Sequence, residues 1–87
     1  MSNASSTGVR AVVEVLARAL VARPEQVRVT ESEHRGTTLV ELFVSSEDLG
    51  RLIGRQGRMA AALRTLASAA GEREGKKVTL EIRDGRS

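Results

Sequence analysis

The segment Leu52-Ile53-Gly54-Arg55-Gln56-Gly57-Arg58-Met59 constrains the fold of this chain more than any other feature. Before it, Leu49, Leu52 and Ile53 recur at helical spacing. After it, Met59, Leu63, Leu66, Ala67 and Ala70 recur in the same way. Glycine costs about 1 kcal/mol relative to alanine inside a helix, so two glycines between two apolar stripes read as a break. The pattern predicts a short helix stopping at Gly54, a four-residue loop over 54–57, and a helix over 58–70 with Gly71 as its C-cap. Ser45 or Ser46 caps the first of these helices, with Asp48 placed to receive a hydrogen bond from Ser45. The core stripe of the second is expected at Met59, Leu63, Leu66, Ala67 and Ala70.

The flanking sequence changes period twice. Val9, Val12, Val13, Leu16, Ala17 and Leu20 fall on one helix face, opposite Arg10, Glu14 and Arg18, with Ser6 or Thr7 as its cap. Pro24 ends that helix. Val27 and Val29 begin a period-2 strand, and Glu33-His34-Arg35-Gly36 reads as a hairpin turn. In the second strand, residues 38–44, Val40, Leu42 and Val44 share the core face. Leu39, Glu41 and Phe43 share the other. A last strand over 78–83 buries Val78, Leu80 and Ile82. The order α-β-β-α-α-β implies an α+β fold, with a three-stranded sheet packed on one face by three helices. Residues 1–7 read as a tag remnant or disordered start, 8–84 as one domain, and 85–87 as a disordered tail.

Composition removes several functions. The chain has 87 residues, no cysteine and one histidine, His34, so thiolate chemistry and multi-histidine metal sites are excluded. No apolar run approaches the roughly 20 residues that span a bilayer, and no secretory signal is visible, so the expected location is the cytoplasm. His34 reads as an exposed turn residue, and Glu31 and Glu33 as surface ion-pair partners. No set of convergent reactive groups is present. The expectation is a non-enzyme without metal or cofactor.

Charge points to a partner. The net charge of +3 has a local origin: Leu49–Gly71 carries Arg51, Arg55, Arg58 and Arg64 and no acid. An acid-free arginine cluster suits a polyanion. The glycine loop runs into a helix N-terminus, whose first N–H groups lack intrahelical partners and whose dipole end is positive. Arg55 and Arg58, with Arg51 one turn earlier, add fork-shaped donors for phosphate. The loop lacks the Gly-Lys-Ser/Thr ending of a P-loop, and it follows a helix where a dinucleotide fingerprint follows a strand. Lys76-Lys77 reads either as a solvated turn or as an additional phosphate contact.

In that α-β-β-α-α-β setting, Leu-Ile-Gly-Arg-Gln-Gly-Arg resembles the motif of a KH domain of the type II (prokaryotic) topology. The stretch Val44–Arg58, with Ala62-Leu63-Arg64-Thr65-Leu66 and Gly75-Lys76-Lys77-Val78, resembles the small bacterial single-KH family called KhpA (YlqC). The resemblance implies a GxxG loop clamping the backbone of about four nucleotides of single-stranded RNA, with bases lying between a helix and a strand. It assigns the clamp to Gly54, Arg55, Gln56 and Gly57, flanking phosphate contacts to Arg51 and Arg58, and apolar groove wall to Leu49, Leu52 and Ile53. A role as RNA chaperone or post-transcriptional regulator follows from it. So does self-association, with a larger Jag-type KH protein (KhpB) as a further partner. The alternative reading is an assembly module in which RNA is secondary. Small side chains at Ala62, Thr65 and Ala69 on one flank of the third helix are the expected homodimer surface, and Phe43 is the other candidate.

Overall fold

A computed structural model describes residues 8–85. Its elements are α1 (Val9–Leu20), a short 3-10 turn (Pro24–Gln26), β1 (Arg28–His34), β2 (Thr37–Val44), α2 (Ser46–Arg73) and β3 (Lys77–Asp84). The sheet runs β1-β2-β3, with β1 antiparallel and β3 parallel to β2. The β1–β2 connection is Arg35-Gly36, both at positive φ (52° and 84°), the two-residue turn whose twist matches that of paired strands.

All helices lie on one face of this sheet. Thr38, Val40, Leu42 and Val44 of β2 point into the core, as the period-2 pattern requires, against Val9, Val13 and Ala17 of α1. Leu80 is buried, while Val78 and Ile82 are half-buried against the same core. Phe43 lies on the outer face, as expected, with the Arg28 guanidinium 4.7 Å from its ring centroid, a cation–π contact. β3 is longer than expected at both ends. Asp84 pairs with Val44, and Gly85, expected in the disordered tail, donates its N–H to the Val44 carbonyl at 2.7 Å. The remaining tail residues, 86–87, and the stretch 1–7, with the Ser6 or Thr7 cap, lie outside the described residues. Gly8 is the observed N-cap of α1, with no side-chain cap bond.

Three local expectations are corrected. The helix–loop–helix of 46–70 is hydrogen-bonded as one element, α2, yet Gln56 and Gly57 both take left-handed backbone (φ 67° and 68°). A right-handed helix cannot pass through two such residues unbroken, so α2 consists of two arms, 46–55 and 58–73, joined by a tight turn. The helix ends at Arg73, beyond Gly71. Gly75 (φ 70°) is the left-handed cap, with Lys76 N–H on the Gly71 carbonyl (2.8 Å) and Gly75 N–H on that of Glu72 (3.0 Å), a Schellman ending. Gly71 serves close packing instead: a Cβ there would run into the Val78 side chain.

The third correction is the phase of the second arm. Met59 and Leu66 are 41% and 46% exposed, whereas Ala60 is 2% exposed and joins Leu63 and Ala67 in the interior. Ala60, Leu63 and Ala67 recur at i, i+3 and i+7, so the buried face is regular but rotated away from the larger Met59 and Leu66, and small alanines let the arm lie close to its neighbours. Leu20, expected in the core of α1, is likewise exposed at the helix end. That helix stops before Pro24 is reached.

Candidate nucleic-acid interface

The glycine turn sits where α2 changes direction, and its position is set by the N-terminus of that helix. The Ser45 hydroxyl accepts from Asp48 N–H (3.1 Å) and donates to Asp48 Oδ2 (3.0 Å), the reciprocal arrangement read from the sequence. Asp48 is 1% exposed. It also accepts the backbone N–H groups of Ala22 (Oδ1, 2.9 Å) and Arg23 (Oδ2, 3.1 Å), tying the end of α1 to the first arm. Burial by itself raises the Asp48 pKa. The Ala22, Ser45 and Arg23 hydrogen bonds and the nearby Arg51 charge outweigh it and hold the carboxyl below its ordinary value. The far end of the sheet is joined to the same point: Ser46 Oγ donates to Asp84 Oδ2 at 2.7 Å.

On this support, Gly54 and Gly57 are half-buried and Gln56 is exposed at the turn. No atom lies within 4 Å of where a Cβ would stand on either glycine, so the backbone of the turn is open to an approaching chain. Gln56, a non-glycine residue at φ 67°, holds the conformation at a cost of about 1 kcal/mol. Arg51 and Arg58 are exposed beside the turn, and no ion pair engages either among the described residues. The second arm starts at this point, so its first turn stands beside the same opening.

The expected groove wall divides. Ile53 is 53% exposed next to the turn, and Leu49 is half-buried against the core. Leu52, at 1% exposure, belongs to the core and presents no surface. Ala62, Thr65 and Ala69 are exposed on the second arm, and Met59 and Leu66 join them there. Lys76 is engaged with Glu74 (3.5 Å) and Glu31 (3.7 Å), whereas Lys77 is exposed. His34 is the exposed last residue of β1. No helix among the described residues is long and apolar enough to cross a membrane, and none of their side chains form a metal-binding group.

One residue of this region escaped the sequence reading. Arg64 leans from the second arm to the open edge of β3, where its Nε–H donates to the Leu80 carbonyl at 3.3 Å. Arg64, Ser68, Val78, Leu80 and Ile82, together with the polar Thr79 and Glu81, line a groove of about 360 Å³ between arm and strand. The arginine cluster was visible in the charge count, but a charge count carries no direction.

Comparison with known proteins agrees with this arrangement. A family model described as the KH domain of KhpA and KhpB matches residues 10–82. The chain is 48% identical over 71 residues to the RNA-binding protein KhpA of Clostridium perfringens, covering 82% of this chain and 95% of the relative. The KhpA protein of Aquifex aeolicus is 49% identical over 71 residues (82% and 90%). That of Treponema pallidum is 47% identical over 73 residues (84% and 91%). The α-β-β-α-α-β order, the mixed sheet and the Gly54–Gly57 turn carry the same conclusion as these matches: the chain is a KH domain of type II topology and belongs to the KhpA family.

Proposed function

We propose that this protein binds single-stranded RNA in the cytoplasm by clamping about four nucleotides of backbone against the Gly54-Arg55-Gln56-Gly57 turn. The observation that carries the reading is the pair of unobstructed glycines at the start of the second arm, flanked by the exposed Arg51 and Arg58. The sugar–phosphate chain packs against glycine backbone, the helix N-terminus faces phosphate, and the arginines neutralise it. Ile53 supplies apolar wall. Aromatic stacking is not the device, because the chain has no Tyr or Trp and Phe43 lies on the outer sheet face under Arg28. Chaperoning or post-transcriptional regulation of RNA follows as the cellular role. RNA titrations at several salt concentrations test the clamp. Neutralising three phosphates predicts a log–log slope on the order of −2, at about −0.7 per phosphate on a single strand. Replacing Arg58 with Ala should flatten it by somewhat under one unit, and an affinity indifferent to salt contradicts the reading.

A second reading, assembly, is favoured by the exposure of two large apolar side chains on the second arm. At 100° per residue, Met59, Leu66, Ala62, Ala69 and Thr65 fall within about 120° of helix surface. The small residues allow close approach of a partner helix, and Met59 and Leu66 supply apolar area to bury. We take this flank, ahead of Phe43, as a homodimer surface, and as a surface open to a larger KH protein such as KhpB. Leu66→Arg or Ala62→Arg should give a folded monomer in sedimentation at concentrations where the parent is dimeric. A monomeric parent at high micromolar concentration, or an equally dimeric variant, refutes the surface.

A further inference from the structure

The sheet has two outer edges, and they differ. The open edge of β3 is met at the Leu80 carbonyl by Arg64. The open edge of β1 has no such cover. Arg35-Gly36 forms a two-residue turn, so His34 and Thr37, which flank it, are a hydrogen-bonded pair. Bonded and non-bonded pairs alternate along an antiparallel ladder. Arg28, Thr30, Ser32 and His34 therefore direct their main-chain groups to β2, while Val29, Glu31 and Glu33 turn theirs outward. No hydrogen bond reaches these outward N–H and C=O groups among the described residues. A strand edge in this state is a template for another extended chain.

The side chains along this edge describe the partner. Val29, Glu31 and Glu33 share the helix face of the sheet, and only Val29 is buried there. Glu31 and Glu33 border a cleft of about 380 Å³ at the start of α1, with Gly8, Arg10, Glu74 and Lys76 as further walls. Lys76 lies 3.7 Å from Glu31 and 3.5 Å from Glu74. Glu33 accepts only from the Thr38 hydroxyl, at 3.3 Å, and meets no cation among the described residues. The carboxylates of Glu31, Glu33 and Glu74 outnumber the cations Arg10 and Lys76, so the cleft is negative on a chain of net charge +3. A second copy does not suit this edge. Antiparallel pairing of β1 with itself about its centre sets Glu31 against Glu31, and like charges directly opposite destabilise a sheet.

We propose that the open edge of β1 docks an extended basic segment of another protein as an added antiparallel strand. Two Lys or Arg residues, two positions apart, stand opposite Glu33 and Glu31, and an apolar residue stands opposite Val29. Main-chain hydrogen bonds hold such a strand, and its alternate side chains select it. Basic arms of this kind are carried by proteins that themselves contact nucleic acid. None of the edge residues belongs to the glycine turn, so the inference does not depend on the RNA reading.

Titration of the labelled full chain, free of RNA, with the peptide Thr-Lys-Thr-Lys-Thr-Val-Thr tests it, read from amide chemical shifts. The amides of residues 29, 31 and 33 should move furthest and saturate, with a dissociation constant on the order of 100 µM. Methylating the backbone nitrogen of the second lysine should weaken binding about tenfold or more, because that N–H faces the Glu31 carbonyl. Glu31→Lys combined with Glu33→Lys should weaken the lysine peptide by a similar factor and let Thr-Glu-Thr-Glu-Thr-Val-Thr bind in its place. Amides of residues 29–33 that stay still at about 1 mM peptide overturn the docking edge. Equal binding of the methylated peptide, which needs no variant to fold, also overturns it, as does a lysine peptide indifferent to the charge reversal. Shifts in β1 that grow with protein concentration alone would assign the edge to a second copy and overturn the basic partner.

Discussion

Replacing Gly54 and Gly57 together by Asp is expected to leave a folded domain that has lost at least about a hundredfold in affinity for single-stranded RNA, or roughly 2.7 kcal/mol. Folding survives because nothing lies within 4 Å of either Cβ position. Gly54 has no positive φ, and aspartate at Gly57 (φ 68°) costs only about 1 kcal/mol. Binding fails for two reasons that act together. The side chains fill the space where the sugar–phosphate chain would meet backbone. The new carboxylates also stand against phosphate, with a repulsion of about 4 kcal/mol for unit charges 4 Å apart near a protein surface. Circular dichroism and a fluorescence titration with a short oligonucleotide check both halves. A folded double variant with undiminished affinity contradicts the clamp.

Asp48→Ala should produce the largest loss of stability of any surface-neutral change near the site, about 3 kcal/mol. It leaves the N–H groups of Ala22 and Arg23 and the Ser45 hydroxyl without their acceptor, and a buried donor left unsatisfied costs about 1–3 kcal/mol. For a domain this size the melting temperature should fall by about 12–24 °C. The same carboxylate makes stability pH-dependent. Its folded pKa lies below its unfolded one, so the stabilisation is complete above the unfolded value, about 3.9. It is lost as pH falls through the folded value, because the proton then binds the unfolded chain more readily until both forms are protonated. The acid limb of the parent's stability curve should therefore be steeper than that of Asp48→Ala. Coincident acid limbs would show that Asp48 is not the titrating clamp.

Much of this was legible in the residues. The period-2 run of Thr38–Val44 gave its inward and outward faces directly. Ser45 and Asp48 gave the helix start, and the glycine spacing gave the break in α2. What escaped depended on phase and direction. Taking Met59 and Leu66 as interior places the stripe off the buried face, which runs through Ala60, Leu63 and Ala67 at i, i+3 and i+7. Apolar size also favours Met and Leu over Ala as interior residues, and it misleads where close approach of the arm is what matters. Two glycines near the end of α2 could each have capped it, and only the path of the turn into β3 decides for Gly75. Leu52 and Ile53 are adjacent and equally apolar, yet one is core and the other surface. The direction of Arg64 depends on the open edge of β3, which strand patterns alone do not place.

The clamp is tested most directly by amide chemical shifts of the labelled protein titrated with a single-stranded tetranucleotide. The account predicts that the backbone amides of residues 54–58, with those of Arg51 and Ile53 beside them, move first and furthest, while β1 and the outer sheet face around Leu39 and Phe43 stay still. Shifts concentrated on that outer face, with residues 54–58 unmoved at saturation, would contradict it.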